Sequence, residues 1–437
     1  MSAAPFLPEP VRGGIGQRIA STVRFTLPNG MVVLLLPTTA TPTVTVSGEV
    51  RVGAIHEPAE QGGLAVFTGA ALGRGTQRRT FQQIVEDTEA RGCMVSTGSG
   101  GHTTAFGGKS LAEDLPLVLE ILTDMLQTPT FPTEEIEKLR GQFLMSLREY
   151  EQSTRYRAAL ALQALLYPPE HPYSRPASGT RATVQQISRD DLEHFHTRYH
   201  PAATTLAIVG DFDTDQVLSL LETLFGGWEP AAAPPSQTLP PVAPLTEVRR
   251  TAVYLPGKIQ SDILWGVHGL ERTHPDYYAA LMANLILGQL SMGNRLWENV
   301  RERQGLAYSV SSSLDAGLSA GPWTASAGVN PADVERATVA LLHEIEHFVR
   351  EGPIDEEIAD VRDYLKGSLG LRLETNGGIA SMLLAIERYG LGLEYVLRYP
   401  SFIDRVDHDA IAAVAQRYLH TTAYALAVAG PPLDRQE

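Results

Sequence analysis

Hydrophobic and polar residues follow two different periods in the first part of the chain. Residues 31–36 and 43–51 are rich in Val, Leu and Thr and flank a Pro-containing turn, which predicts two strands. Residues 62–72 predict a helix. Between residues 111 and 126 the apolar positions recur every three or four residues, which predicts an amphipathic helix. Its apolar face carries Leu111, Leu115, Val118, Leu122 and Met125.

The next helix has a recognisable start in the run Pro132-Thr133-Glu134-Glu135. A threonine followed by acidic residues is typical of a helix N-terminus, so Thr133 is predicted to be the N-cap. Strands are followed by helices within the same half of the chain, in an antiparallel arrangement. This pattern favours an α+β fold over a doubly wound parallel sheet.

The same elements recur later in the chain. The segment around residues 187–210 returns as 406–430, at offsets of 219 (188 to 407) and 220 (206 to 426) residues. Glu120-Ile121 likewise returns as Glu344-Ile345, 224 residues further on. Several elements repeated in order indicate an internal duplication. The sequence therefore predicts two homologous α/β sandwich domains, each with a sheet covered by helices, over residues 1–228 and 245–437.

A proline-rich segment separates the two predicted domains. Residues 230–244 contain six prolines, a composition that cannot continue a helix and favours an extended, semi-rigid tether. We therefore predict that residues 229–244 form a linker between the homologous halves.

Composition narrows the classes of function. A chain of 437 residues with 43% hydrophobic residues is globular, and its net charge of −15 disfavours nucleic acid as a partner. Such a charge attracts cationic partners such as basic peptides. The single cysteine, Cys93, excludes an internal disulfide and is expected to be a small buried side chain. No run is apolar enough to span a membrane, and no signal peptide is recognisable, so we expect a cytoplasmic protein, or a periplasmic one if a leader was removed.

The strongest candidate for chemistry lies in the second half. Arg301 and Tyr308 are separated by six residues that include Gly305, a spacing that suits a helix end followed by a strand. A guanidinium and a phenol that converge on one point can hold a carbonyl oxygen or a developing oxyanion.

These motifs together resemble the pitrilysin-like metallopeptidases, whose zinc motif is the inverted H-x-x-E-H. The resemblance extends over nearly the whole chain. Its matching segments are Leu27-Pro28-Asn29-Gly30, Gly62-Gly63-Leu64-Ala65, Gly73-Arg74-Gly75-Thr76, residues 171–180, residues 288–296, residues 301–308 and residues 387–391. The resemblance implies a clamshell enzyme, of which this chain supplies one half.

The chain departs from the family at the zinc motif. Where active members carry His-Phe-x-Glu-His, this sequence reads Val66-Phe67-Thr68-Gly69-Ala70. The glutamate that supplies the third ligand in the family falls at Ser146 or Leu147, and neither is a good zinc ligand. Nearby Glu149 alone could not hold the ion. We therefore predict no metal and no cofactor in this chain.

Retention of the pair without the zinc ligands implies a division of labour that some bacterial members of the family show. Arg301 and Tyr308 would act as catalytic and substrate-binding residues, opposite the zinc of a homologous partner subunit. The chain would then be the non-zinc subunit of a heterodimeric peptidase, inactive alone, with peptides as substrates and no role for nucleic acid or membranes. The alternative is a non-catalytic scaffold subunit of the same fold.

A second motif competes with this interpretation. His343-Glu344-Ile345-Glu346-His347 satisfies H-x-x-E-H literally, which would make the chain an independent zinc protease. The surrounding helix, however, places Val334, Leu341, Ile345 and Phe348 on an apolar face, with both histidines displaced from it. We therefore expect a solvated helix face that binds metal only adventitiously.

Overall fold

The computed structural model describes residues 14–229, 233–236, 238–290 and 293–432. The start of the chain, including the region examined for a signal peptide, and parts of the proline-rich segment lie outside these residues. The chain forms two compact units, each assembled from three separate stretches. The first comprises the described residues within 1–145, 176–238 and 368–400, and the second comprises those within 146–175, 239–367 and 401–437.

Each unit contains one mixed sheet. In the described residues of the first unit the strand order is β1-β2-β6-β3-β5-β4. Only the β2–β6 pair is parallel, and the other pairs are antiparallel. The strands are β1 (Val23–Thr26), β2 (Val32–Pro37), β3 (Thr43–Val50), β4 (Met94–Ser99), β5 (Thr104–Leu111) and β6 (Thr204–Gly210).

Within the described residues, the sheet of the second unit repeats this topology without a counterpart of β1. Its order is β7-β11-β8-β10-β9, again with one parallel pair, β7–β11, in the described chain. The strands are β7 (Arg249–Tyr254), β8 (Ser261–His268), β9 (Ala307–Ala316), β10 (Ala320–Val329) and β11 (Ala425–Gly430). The α+β class and the duplication expected from the repeats are therefore confirmed.

Helices cover the sheets and connect their strands. Two further segments, Leu285–Gln289 and Trp297–Arg303, are π-helical. The α-helices are α1 (Ile15–Ala20), α2 (Leu64–Ala71), α3 (Phe81–Glu89), α4 (Leu115–Gln127), α5 (Thr133–Glu151), α6 (Thr154–Leu166), α7 (Arg181–Gln186), α8 (Arg189–His196), α9 (Thr214–Phe225), α10 (Tyr277–Asn284), α11 (Val334–Glu351), α12 (Asp355–Arg372), α13 (Asn376–Arg388), α14 (Tyr395–Asp404) and α15 (His408–Tyr418).

Two helices are exchanged between the units. Helix α6 comes from the first half of the sequence but belongs to the second unit, and α13 comes from the second half but belongs to the first unit. Helix α6 packs on β8, β11 and β7 of the second sheet, where Ala158, Leu162 and Leu166 join its core. Helix α13, its counterpart in the repeat, packs on β6 and β3 of the first sheet. In the first unit this contact includes a bidentate ion pair between Arg388 of α13 and Glu49 of β3. The Glu49 side chain is almost fully buried.

Two details predicted from the sequence are wrong. Leu111 is the last residue of β5 and is exposed, because a 3₁₀ turn over Ala112–Asp114 separates the strand from α4. Helix α5 begins at Thr133 itself, and the carbonyl of Pro132 accepts the N–H of Ile136. Thr133 is therefore inside the helix and is not its N-cap.

Other details of the sequence reading are confirmed. The predicted strands at 31–36 and 43–51 and the helix at 62–72 correspond to β2, β3 and α2. Cys93 is buried, and burial raises the pKa of its thiol. Within the described ranges, none of the helices combines the length and apolar character required to cross a bilayer.

Candidate functional site

Arg301 lies at the end of the π-helical segment Trp297–Arg303. Asn294 lies just before the helical residues that lead into this segment, and its side-chain oxygen accepts the N–H of Trp297 at 2.8 Å. At the other end Gly305 has φ 62°, and its N–H donates to the Arg301 carbonyl at 3.0 Å. Glycine enters the left-handed region without the penalty of a Cβ, so the chain can turn sharply into β9. A π-helical turn is rare and often marks a functional position.

The side chain of Arg301 is oriented by an aromatic ring. Its guanidinium carbon lies 3.7 Å from the centre of the Trp297 ring, which is a close cation–π contact. Among the described residues it forms no ion pair, so its donors are available to a ligand. The neighbouring Arg303 differs, because it is paired with Glu298.

Tyr308 occupies an irregular position on an edge strand. In the pairing of β9 with β10, Ala307 lies opposite Val329 and Ser309 lies opposite Gly328. Tyr308 is therefore the extra residue of a β-bulge, a feature that redirects side chains and is frequent next to active sites. Its side chain is 60% exposed, and its hydroxyl has no partner in the described part of the chain.

The structure thus places the two candidate residues on the predicted kinds of element. A helix end carries Arg301 and the start of a strand carries Tyr308. Both present hydrogen-bond donors that the described protein leaves unused. Convergence of the two groups on one substrate atom stays a prediction.

Buried polar residues hold the backbone around the pair. Asn284 is fully buried, and its side-chain oxygen accepts bonds from Ser312 at 2.8 Å and from the Trp323 indole at 2.9 Å. Ser312 lies on β9, so this network fixes the strand that carries Tyr308. At Gly288 a Cβ would come within 2.6 Å of the Ser312 backbone nitrogen, so the helical segment and β9 are in close contact.

Sequence reasoning missed several of these supporting residues. The Trp297 ring makes the cation–π contact with the Arg301 guanidinium. Arg295 forms a bidentate ion pair with Glu357 at 2.6 and 2.8 Å. A tryptophan four residues before an arginine on a helix was the available signal, because residues at that spacing share a face.

Residues 66–70, at the position of the family's zinc motif, lie on α2 and pack against other residues of the first unit. On α2, Phe67 is buried and its ring lies edge-on to Phe143 at 5.1 Å between ring centres. The Thr68 hydroxyl donates back to the Leu64 carbonyl. Glu57 accepts the N–H groups of Gly63 and Ala65 and so caps the N-terminus of the helix.

Gly69, in the place of the catalytic glutamate, is the point where α2 meets the edge strand β4. A Cβ there would lie 2.7 Å from the backbone nitrogen of Ser99. The carbonyl of Gly69 also accepts the hydroxyl of Thr97 at 2.8 Å. The helix and the strand are therefore in direct backbone contact at this residue.

The residues present at this position do not fit a zinc ion. Val66 and Ala70 have no ligand atoms, and Ser146, Leu147 and Glu149 of α5 supply no matching set. Throughout the described residues, no three His, Cys, Asp or Glu side chains come together as a potential metal site.

The literal zinc motif of the second half lies on α11. His343 is exposed and stacks on His347 with 6.3 Å between ring centres. His347 in turn lies 3.0 Å from a carboxylate oxygen of Glu351. Glu344, the second residue of this motif, is buried and accepts the Asn299 amide at 2.6 Å. The apolar face predicted for this helix is buried as expected.

Comparison with known proteins identifies the family. The model of the insulinase domain of peptidase family M16 matches residues 32–176, and the model described as the peptidase M16 inactive domain matches residues 186–365. The chain belongs to the peptidase M16 family, which confirms the resemblance drawn from its motifs. It is a zinc-protease-like member whose second half matches the family's inactive domain.

Relatives and solved structures agree with this assignment. An uncharacterized zinc protease of Streptomyces coelicolor is 27% identical over 96% of this chain and 91% of its own. A mitochondrial-processing peptidase subunit beta of Arabidopsis thaliana is 24% identical over 94% and 78%. The crystal structure of a peptidase M16 inactive domain from Pseudomonas fluorescens has 22% identity and a TM-score of 0.87, covering 94% of this chain and 98% of its own.

Proposed function

We propose that this chain is the non-zinc subunit of a heterodimeric zinc metallopeptidase that degrades or processes peptides. In this proposal Arg301 and Tyr308 bind the substrate backbone and stabilise the oxyanion, while a homologous partner subunit brings the zinc motif. The observation that carries the proposal is Tyr308, a tyrosine exposed at a β-bulge directly after the helix end that carries Arg301.

The two halves of the chain support this division of labour in opposite ways. At the zinc position every group able to bind metal or move a proton is absent, and the helix packs directly on β4 through Gly69. At the Arg–Tyr position both donors are retained and unpaired within the described residues. A scaffold alone would have no use for an arginine held over a tryptophan ring and a tyrosine placed on a bulge.

The chemistry of the pair is electrostatic. As a peptide bond is attacked, its carbonyl oxygen gains negative charge, and two fixed donors stabilise that charge more than they stabilise the ground state. The Trp297 ring limits the rotamers of Arg301, which reduces the reorganisation needed when charge develops. Each such donor commonly lowers the barrier by roughly 3 kcal/mol, or about a hundredfold in rate.

Relatives support the general assignment. The Streptomyces relative is named a zinc protease, and the Arabidopsis relative is named as one subunit of a processing peptidase. A protein that acts as a subunit is consistent with a chain that carries only part of an active site.

The proposal is tested by reconstitution. The chain is mixed with a homologue that carries an intact H-x-x-E-H, and cleavage of a fluorogenic peptide is measured. We expect no activity from this chain alone and activity from the mixture. Arg301→Ala and Tyr308→Phe should each lower kcat by roughly a hundredfold, with the complex still formed.

Two exposed residues of the same unit provide matched controls. Arg303→Ala removes an arginine two positions away that is already paired with Glu298. Tyr254→Phe removes the hydroxyl of a tyrosine that is 67% exposed on β7. Both should leave kcat unchanged. If the mixture is active and the Arg301 and Tyr308 variants behave like these controls, the catalytic role is wrong and the scaffold alternative holds.

A further inference from the structure

A cavity of about 450 Å³ lies within the second unit. Its lining includes Tyr167 and His171, which follow α6, and His268, the last residue of β8. Part of the proline-rich segment, between residues 239 and 245, completes the lining on another side. Small-molecule sites commonly have volumes of roughly 300–1,000 Å³, and about 150 Å³ is already enough to hold benzene. The cavity is therefore large enough for a one- or two-ring molecule.

Flat rings make up much of the lining. Tyr167 is 3% exposed, and its ring stacks on the His171 ring with 5.0 Å between ring centres. The His268 ring lies 5.5 Å from the same tyrosine. The proline-rich segment adds the rings of Pro240, Pro241 and Pro244. Stacked and edge-on contacts between rings stabilise more than burial of their area alone, so this lining favours a planar aromatic guest.

His268 offers one unused hydrogen-bond acceptor. Its Nε2 lies 2.8 Å from the Leu166 carbonyl, so this nitrogen carries the proton and Nδ1 is the bare acceptor. No group among the described residues donates to this Nδ1. The Nδ1 of His171, by contrast, accepts the N–H of Tyr173 at 3.1 Å. A donor for His268 therefore has to come from solvent or from a molecule in the cavity.

The rings around the cavity are uncharged near neutral pH. Burial lowers the pKa of His171 and of His268 and raises the pKa of the Tyr167 hydroxyl. Both charged side chains in the described lining, Glu271 and Arg417, are exposed, and the guanidinium is already paired with a carboxylate at 2.7 Å. A neutral guest avoids the cost of bringing a charge into such surroundings.

The proline-rich segment is held in place beside the cavity. Leu245 is buried in the core cluster that contains Tyr167, and Val242 packs against the same cluster. The backbone of Pro240 interacts with the His171 ring. Because each proline fixes its own φ angle, this part of the lining loses little conformational freedom when a guest binds.

The duplicated fold shows that an imidazole is not required at this position. The register of β8 on β11 and of β3 on β6 makes Arg51 the counterpart of His268 in the first unit. Arg51 is exposed, and its guanidinium donates to the Ala202 carbonyl at 3.2 Å. The ring-lined cavity with its free acceptor therefore reflects the sequence of the second unit rather than the shared topology.

We propose that this cavity binds a planar aromatic molecule with one N–H donor, such as indole. The N–H donates to His268 Nδ1, and the ring packs among Tyr167, His171 and the proline rings. Indole N–H is a donor only, which matches the single free acceptor. A free heteroaromatic molecule and the tryptophan side chain of a peptide share this chemistry. The inference does not depend on the proposed function, because neither Arg301 nor Tyr308 lines the cavity.

Calorimetric titration of the full chain with two matched molecules tests this site. Indole is compared with benzofuran, which has the same fused rings with an oxygen in place of the N–H. Indole should bind with a dissociation constant below about 1 mM. It should bind about fivefold more tightly than benzofuran, as one hydrogen bond predicts. N-acetyltryptophan amide, which carries the same ring on a peptide backbone, is titrated in parallel.

Two variants weaken binding by different routes. His268→Phe keeps a ring and removes the acceptor, so indole should bind only as well as benzofuran. Ala423→Phe enlarges a partly buried side chain of the lining and should weaken both molecules by tenfold or more. His343→Phe and Ala359→Phe make the same exchanges at exposed positions of the second unit and should change neither affinity. Circular dichroism melts identify any variant that is unfolded.

Each result decides for or against the site. Absence of indole binding at 1 mM, or equal binding of indole and benzofuran to the unmodified chain, overturns the proposal. A preference for indole that persists in folded His268→Phe also overturns it, since the acceptor would then be another group. Where the preference is lost in that variant alone, binding of the tryptophan amide indicates a peptide side chain as the natural guest. Binding of indole without the amide indicates a free small molecule.

Discussion

Gly69 occupies the glutamate position of the family's zinc motif, and the packing of the first unit leaves no room there for a side chain. It lies in the interior of α2, where alanine is normally favoured over glycine by roughly 0.5–1 kcal/mol. A Cβ at this position, however, would lie 2.7 Å from the Ser99 nitrogen and 2.8 Å from the Ser99 Cβ. Both atoms belong to β4 rather than to a flexible side-chain end, so the helix or the strand must move.

The size of the effect follows from a comparison with Gly141. That glycine lies inside α5, and a Cβ there would meet nothing within 4 Å. Gly141→Ala should therefore stabilise the protein by about 0.5–1 kcal/mol. Gly69→Ala gains the same helix preference but overpacks the contact with β4, a change that typically costs about 1–3 kcal/mol. The free energies of unfolding of the two variants should differ by about 2 kcal/mol.

Urea denaturation followed by circular dichroism measures this difference. Both glycines lie in the first unit, so the two variants report on the same cooperative structure. Hydrogen exchange of the α2 and β4 amides should be faster in Gly69→Ala and unchanged in Gly141→Ala. The reasoning is refuted if Gly69→Ala is as stable as Gly141→Ala, since the close contact would then be easily relieved.

Three further outcomes follow from buried polar groups. Glu49→Ala leaves Arg388 without its buried partner and should lower the free energy of unfolding by about 3 kcal/mol; a loss below about 1 kcal/mol in urea denaturation would contradict this. Tyr167→Phe removes a buried hydroxyl that lacks a partner in the described chain, so the thermal midpoint should stay constant or rise, and a clear fall would show that the hydroxyl is bonded. Burial lowers the pKa of His268, whose Nε2 donates to the Leu166 carbonyl. Its neutral form therefore stabilises the fold above about pH 6.5, and this contribution is lost as the pH falls through the folded pKa; thermal melts from pH 7 to 5 should be less pH-dependent in His268→Gln, and an equal dependence would contradict the assignment.

The sequence was informative where the physical signal is local or repeated. Runs of strand-forming residues beside a Pro-containing turn located β2 and β3, and a helical period located α4, because burial of one face leaves a period in the sequence. The repeated segments predicted a duplicated fold because equivalent elements keep equivalent apolar positions. The exchange of α6 and α13 was not predictable in this way, since both are apolar helices and their sequences do not state which sheet they cover.

Only two residues of the candidate site, Arg301 and Tyr308, could be predicted from the sequence. Arg301 and Tyr308 stand out as a motif, but the bulge at Tyr308 depends on how β9 pairs with β10, a non-local feature. Leu111 was assigned wrongly for a different reason. The helical period of α4 was extended back across a turn, to a residue that ends β5.

The duplication also explains why the two halves can diverge so far. The five strands that the two sheets share have the same order, so equivalent cores supply stability and the equivalent surface positions are free to change. In the first half α2 is in direct backbone contact with β4 at Gly69. In the second half a bulge interrupts the pairing of β9 with β10 at Tyr308, whose side chain is exposed. Close packing at the position of the zinc motif together with an exposed Tyr308 and an unpaired Arg301 in the described residues is what the proposed division of labour predicts, and a purely structural role gives no reason for this asymmetry.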